Sequence, residues 1–333
     1  MGCHRSGTNL LYDMLLSAGG FAVYRGYLPI YKILIPKFGP LDKLENRKKI
    51  LDVWLRSKGF RRSGLDAALV SERVLNNCNN GGDFMRITMD EIARQQNVQR
   101  WAVYDPDTVL HVPRIKVDLP NAIFIHIVRD GRDIALSLMK MGGFRPFPWN
   151  RKQRGLLETA LYWEWTVRKG REYGREIPAN YVEIRYEDLI SNPHQVLKDL
   201  GKFIDHDLDY DRIQRAALGR LSETNSSFRE EPKEEQGHPV NRWKEKLSPR
   251  EIAELEAIIG PCLQEFGYEL SVAEKDRHPS LKDKWMHAAY PAILDTKLFL
   301  KIKTPLGRLA DLSALELDSS ETELNPATGV GPQ

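Results

Sequence analysis

The run Ala122-Ile123-Phe124-Ile125-His126-Ile127-Val128 constrains the fold of this chain more than any other feature. It is almost continuously β-branched or aromatic, without polar alternation, which is the pattern of a parallel strand covered on both faces. Arg129-Asp130-Gly131-Arg132-Asp133 follows at once, and then Ile134, Leu138 and Met141 fall on one helical face. The order repeats further on. A long helix carrying Leu157, Leu161, Trp165 and Arg168 leads through Pro178 to a second strand over Tyr181–Tyr186, then to a helix from Pro193 to Ile204. Strands alternating with helices predict an α/β fold, a mostly parallel central sheet flanked by helices. On the first strand His126 shares a face with Phe124 and Val128, so it reads as a core histidine, and Trp163 and Trp165 read as core of the long helix.

The N-terminal residues carry the chemistry. Gly2-Cys3-His4-Arg5-Ser6-Gly7-Thr8 precedes a helix predicted over Asn9–Ala18, where Leu10, Leu11, Met14 and Leu15 recur at helical spacing before Gly19-Gly20. Glycines let a loop turn its N–H groups inward and the helix N-terminus adds partial positive charge, so the loop is built to hold an oxyanion. A Walker A loop needs Lys after its second Gly; Thr8 stands there, which disfavours a small-molecule kinase, and the cation has moved to Arg5. The bland alternative is a Gly-bearing turn at a frayed terminus. Such a loop is normally fed by a buried strand, yet only Met1 precedes it. The first strand is therefore expected to be missing, as if the chain began at an internal Met or were a fragment. Arg129 and Ser137 form a second anion element at the carboxyl end of the predicted strand, where open α/β sheets bind ligands. Their alternative reading is a surface salt-bridge cluster of Arg129, Asp130, Arg132 and Asp133.

The remaining chain divides by composition. Residues 21–100 lack long periodic runs and read as short helices and loops covering a cleft, with Tyr24, Tyr27, Tyr31 and an Asn-rich stretch over Asn76–Gly82. Ser248-Pro249 starts a capped helix that runs to about Phe266. A catalytic-type domain is expected over 1–270, a partly helical C-terminal extension over 271–312 and a disordered tail over 313–333. The formal charge of +3 argues against nucleic-acid binding, and three cysteines without ligand spacing argue against a disulfide framework or a structural zinc. No apolar run is long enough to span a bilayer and no signal-peptide pattern opens the chain, which points to the cytoplasm. The oligomeric state is not legible.

Together these elements resemble the sulfotransferases that use 3′-phosphoadenosine 5′-phosphosulfate (PAPS), over Gly2 to about Leu270. His4-Arg5-Ser6-Gly7-Thr8-Asn9 is similar to the family loop Pro-(Lys/Arg)-Ser-Gly-Thr-Thr that binds the 5′-phosphosulfate. Arg129 to Ser137 looks like the family's 3′-phosphate element. Tyr186-Glu187-Asp188-Leu189 resembles the segment whose Tyr lies by the adenine, Ser226-Ser227-Phe228 the adenine contact, and Asn241-Arg242-Trp243-Lys244 the closing loop. The resemblance implies a P-loop NTPase-like sulfotransferase fold and in-line transfer of a sulfuryl group from PAPS to an acceptor hydroxyl or amine. Donor contacts would come from Arg5, Ser6, Gly7, Thr8, Asn9, Arg129, Ser137, Tyr186, Ser226, Phe228, Arg242 and Trp243. Arg5 would stabilise the leaving oxygen, and no metal is required.

The chain also departs from that family. Where its members place a Lys, this chain has Tyr104 of Tyr104-Asp105-Pro106, so a second cation is missing, and no carboxylate base follows the first helix. Asp105, Asp107 and His111 are the candidate bases, with Glu72 an outside choice; Glu230–Glu235 reads as a solvated loop. The competing non-enzyme reading is an inactive nucleotide-binding relative of the fold.

Overall fold

The computed structural model describes residues 1–141, 155–218 and 240–318. Its sheet consists of β1 (Phe124–Val128) and β2 (Tyr181–Arg185), which run parallel with Phe124 opposite Tyr181 and Val128 opposite Arg185. Along the edge of β1 away from β2, Met1 donates its N–H to the Ile125 carbonyl at 2.8 Å and accepts from the Ile127 N–H at 3.0 Å. These two bonds are those of a parallel neighbour strand, so Met1 occupies the first-strand position.

β1 is covered on both sides, as its composition requires. Ile127 packs with α1 (Thr8–Ser17), and Val128, one residue on, packs into the opposite layer. That layer contains α5 (Gly131–Lys140), α6 (Leu156–Arg175) and α8 (Pro249–Glu265), with Trp163, Ile259 and Leu263 almost wholly buried. On the α1 side lies α7 (Pro193–Ile204), which contributes Leu197 and Leu200. His126 is fully buried against α6: its Nδ1 lies 2.6 Å from the Tyr181 hydroxyl, and a Cβ on Gly170 would fall 2.5 Å from its ring. Only a glycine lets α6 come this close to the strand.

Residues 21–100 hold more regular structure than their composition announces. They build a helical lobe from α2 (Leu44–Leu55), α3 (Ala67–Asn77) and α4 (Gly81–Gln95) around Trp54, Phe84 and Met89. Side-chain caps start two of these helices: Asp66 Oδ1 accepts the Leu69 N–H at 2.7 Å, and Asn80 Oδ1 accepts the Asp83 N–H at 2.9 Å. The Asn-rich stretch thus ends α3, turns over residues 78–80 and caps the start of α4.

The capping box of Ser248 with Glu251 opens α8 as its sequence suggests. A second box, Ser280 with Asp283, opens α9 (Leu281–Lys303), which docks on α6 through Trp165 Nε1 to Asp295 Oδ1 at 2.9 Å and His287 Nε2 to Glu164 Oε2 at 2.9 Å. No described helix is long and apolar enough to cross a membrane. Ser313–Asp318, inside the stretch expected to lack structure, packs on the helical lobe: Leu315 is buried, Leu317 bridges Ser57, and Arg61 Nη1 meets Asp318 at 2.7 Å.

Candidate active site

The loop before α1 is shaped by glycines at two close approaches. A Cβ on Gly2 would lie 2.4 Å from the Ile127 carbonyl oxygen, and one on Gly7 would lie 2.5 Å from the Tyr186 ring. Gly7 also takes φ 99° as N-cap of α1 and supplies no side-chain cap, so the first-turn N–H groups of α1 are left for an anion. Within the loop Ser6 N–H bonds the Cys3 carbonyl at 3.1 Å, and Arg5 adopts φ 74°, a left-handed conformation uncommon outside glycine. Ser6 is fully buried and its Oγ meets no partner among the described residues.

This loop and the residues after β1 form one site. Arg5 Nε donates to Ser137 Oγ at 3.0 Å, and Arg129 Nη1 donates to the Arg5 carbonyl at 3.3 Å. The Arg129 guanidinium stands 4.5 Å over the Tyr186 ring, with Nη2 3.7 Å from Asp133. The charged cluster is not a surface one. Arg129, Asp130, Arg132 and Asp133 are 4%, 3%, 2% and 3% exposed, because α5 folds back beneath β1 and each charge finds a buried partner. Arg132 is held in a fork by Asp130 and bridged to Glu256 at 2.5 Å. Asp133 accepts the N–H groups of Asn241 at 3.0 Å and Trp243 at 2.9 Å, which brings the buried Arg242 and Trp243 to the start of α5. The Trp243 ring lies 3.6 Å from the Arg132 guanidinium. Burial raises the Asp133 carboxyl above the ordinary range against the pull of Arg129.

Beside the loop, His4 Nε2 lies 3.0 Å from Asp107 Oδ1, and Lys32 forms an ion pair with the other Asp107 oxygen. Lys32 sits on a single π-turn, Ile30–Leu34. Burial works against the Asp107 charge, but His4 and Lys32 outweigh it and hold that carboxyl below its usual range. Asp105 is shifted the other way, upward, by burial first and by the neighbouring Asp107 second. Asp105 Oδ1 accepts the Asp107 N–H at 3.1 Å, capping the turn Pro106–Leu110. Burial pushes His111 down to about 4, so its ring is neutral near pH 7. Asp105 and His111 line a small cavity of about 40 Å³ together with Tyr12, Tyr24, Tyr27 and Tyr104. His111 and Tyr31 also line the inner end of a groove of about 1420 Å³.

Residues 1–210 match the model of the sulfotransferase family. This chain belongs to that family. A putative protein-tyrosine sulfotransferase of Caenorhabditis elegans is 23% identical over 179 residues, which is 52% of this chain and 66% of that protein. The sulfotransferase domain from the Synechococcus PCC 7002 olefin synthase superposes over 81% of this chain and 93% of its own, at 17% identity and TM-score 0.51. The sulfotransferase domain from the curacin biosynthetic pathway superposes over 81% and 96%, at 16% identity and TM-score 0.52. These two likenesses place the sulfotransferase in the P-loop-like fold of those domains.

The structure of this sulfotransferase brings Arg5, Ser6, Gly7, Thr8, Arg129, Ser137, Tyr186, Arg242 and Trp243 around the loop and the start of α5, with Asn9 in the first turn of α1. Asp105, Asp107 and His111 gather beside the loop, whereas Glu72 is exposed on α3. Ser226, Phe228 and Glu230–Glu235 lie outside the described residues. Three groups escaped the sequence reading. Lys32 is the cation at the Asp105–Asp107 turn, and a solitary lysine within the apolar run Tyr27–Pro36 was the available signal. Glu187, quoted only as part of Tyr186–Leu189, accepts the Asp130 N–H and the Tyr268 hydroxyl, each at 2.9 Å, and Glu256, which nothing in its spacing marks, closes the Arg132 network.

Proposed function

We propose that this sulfotransferase moves a sulfuryl group from PAPS to an acceptor hydroxyl by in-line displacement. One observation carries the reading: two anion-binding motifs far apart in sequence meet, with Arg5 Nε on Ser137 Oγ at 3.0 Å and Arg129 Nη1 on the Arg5 carbonyl at 3.3 Å. A donor bearing both a 5′-phosphosulfate and a 3′-phosphate needs such a pair of neighbouring sites. The buried Ser6 Oγ without a partner and the uncapped first turn of α1 fit the same donor.

In this mechanism the Gly2–Thr8 N–H groups and Arg5 hold the phosphosulfate, and Arg129, Ser137 and Arg242 hold the 3′-phosphate. The acceptor oxygen forms its bond to sulfur as the bond from sulfur to the 5′-phosphate oxygen breaks, leaving 3′-phosphoadenosine 5′-phosphate. Arg5 and the loop N–H groups meet the charge that grows on the departing oxygen. Asp105 takes the acceptor proton. Its upward shift makes it a stronger base than an ordinary aspartate, whereas Asp107 is committed to His4 and Lys32. Lys32 supplies the cation that Tyr104 does not.

Transfer of labelled sulfate from PAPS to a panel of alcohols, sugars and phenols tests the activity. Label on at least one acceptor is expected. Binding of 3′-phosphoadenosine 5′-phosphate without any label transfer would instead identify an inactive nucleotide-binding relative. Stabilisation by ATP but not by the 3′-phosphate nucleotide would overturn the donor assignment.

A further inference from the structure

One face of α9 is buried and the other is apolar and bare. Tyr290 and Leu294 are each 5% exposed in the core beside α6. On the opposite face Leu281 is 85% exposed, Trp285 69% and Phe299 59%. At about 100° per residue these three fall in one stripe with the exposed Ala288 and Ala292 between them. The turn after the helix exposes two more leucines, Leu306 at 52% and Leu309 at 79%. Several large apolar side chains bared along one face of a folded domain mark an interaction surface.

The charges around the stripe say what covers it. Lys282 and Lys284 are exposed at one end of α9, and Lys303 and Arg308 at the other. The two carboxylates of the helix are turned to local work: Asp283 closes the capping box with Ser280, and Asp295 bonds Trp165 Nε1 and lies 3.4 Å from Lys169. A second copy of this chain, docked stripe to stripe about a two-fold axis, would set this cationic rim against an identical one. An acidic lipid surface meets both features at once, apolar stripe against the acyl boundary and lysines against the headgroups. The basic residues at both ends lay the helix flat, and a tryptophan on the stripe suits the interface between water and hydrocarbon.

We propose that α9 and the Pro305–Leu309 turn dock this protein on bilayers bearing acidic headgroups. The surface is peripheral: α9 keeps its buried face on the protein core. Phe299, Lys303 and Arg308 also line the groove that Tyr31 and His111 line, so the test reads vesicle binding, into which neither the donor nor the acceptor assignment enters.

Vesicle sedimentation of the full chain tests it. Phosphatidylcholine vesicles containing phosphatidylserine should carry the protein down, and this should weaken as salt screens the lysines, while pure phosphatidylcholine vesicles should carry down much less. Trp285→Glu and Phe299→Glu should each cut partitioning roughly tenfold, given the free energy of burying one large apolar side chain. Lys282→Glu with Lys303→Glu should remove the preference for acidic vesicles. All four positions are exposed, so melting temperature should not change, and the Trp285→Phe protein should lose the blue shift of tryptophan emission on vesicle addition. Equal sedimentation of Trp285→Glu and the parent would overturn the proposal. So would absence of binding to acidic vesicles, or a concentration-dependent dimer abolished by Trp285→Glu, which would assign the stripe to a second copy.

Discussion

Arg129 donates to the Arg5 carbonyl, yet the roles proposed for the two arginines separate in kinetics. Arg5 belongs to the loop proposed to meet the reacting centre, so Arg5→Ala should lower kcat by about 10²–10³ with a smaller change in donor affinity. Arg129 is buried beside Tyr186 and Asp133 and is proposed to hold the 3′-phosphate rather than the reacting centre, so Arg129→Ala should weaken donor binding about 10–100-fold, the worth of a lost charge-assisted hydrogen bond. Initial rates over a range of PAPS concentrations check both, and an Arg5→Ala protein as active as the parent would remove Arg5 from the mechanism. His111 gives a pH signature. Burial, with Lys301 and Lys32 adding to it and Asp107 opposing, lowers its folded value to about 4 from 6.5 unfolded. The folded protein then binds fewer protons than the unfolded chain between these values, so stability is full above about pH 6.5 and falls as pH drops toward 4. The loss reaches about 3 kcal/mol at most, and His111→Gln should remove it. Urea unfolding of parent and variant at about pH 7.5 and about pH 4.5 measures the difference. At this scale the meeting of Arg5, Ser137 and Arg129 was legible because glycine, arginine and serine at fixed spacing carry their own chemistry. Lys32 and Glu187 were not, since each reaches its partner only through the fold.

At the scale of elements, α5 is the joint of the site. Its first turn carries Arg132 and Asp133, its second carries Ser137, and each faces a different neighbour: α8 through Glu256, the Asn241–Trp243 segment, and Arg5. Arg132 is 2% exposed among Asp130, Glu256 and the Glu269 carbonyl. Arg132→Leu would leave two carboxylates buried without their cation, a loss of about 3–5 kcal/mol in unfolding free energy. Chemical denaturation measures it, and a loss under about 1 kcal/mol would show that water or a rearranged neighbour compensates. β1 was legible because its apolar run has no other reading at that length. α3 and α4 were not, because their caps Asp66 and Asn80 stand in polar stretches and their buried residues, such as Val70, Val74, Met89 and Ile92, are spaced among charged ones. The buried charges of α5 were also hidden: sequence gives Arg129–Asp133 as five polar or small residues in a row, and only the return of α8 and the Trp243 segment takes them out of water.

For the whole molecule, the donor would bridge parts that the chain supplies separately. The loop is held by two backbone bonds of Met1 to β1, while Arg129, Ser137 and Trp243 belong to the layer built on α5, α6 and α8. A ligand that binds both is bound only by the assembled protein, and stabilises it by mass action. At a hundredfold excess over its Kd, 3′-phosphoadenosine 5′-phosphate should add about 2.7 kcal/mol, a rise in Tm of roughly 2–4 °C for a protein of this size. ATP lacks the 3′-phosphate that Arg129 and Ser137 are proposed to hold, so at equal concentration its shift should be smaller. Arg129→Ala should shrink the shift with the 3′-phosphate nucleotide toward that of ATP, and because it leaves the buried Asp133 without its cation its ligand-free melt should fall as well. Reading each ligand shift against that protein's own ligand-free melt separates a lost donor contact from a damaged fold. An Arg129→Ala protein with the full parental shift would mean that the site at α5 holds no 3′-phosphate. The convergence of Arg5, Ser137 and Arg129 would then be a contact that holds the fold together and nothing more.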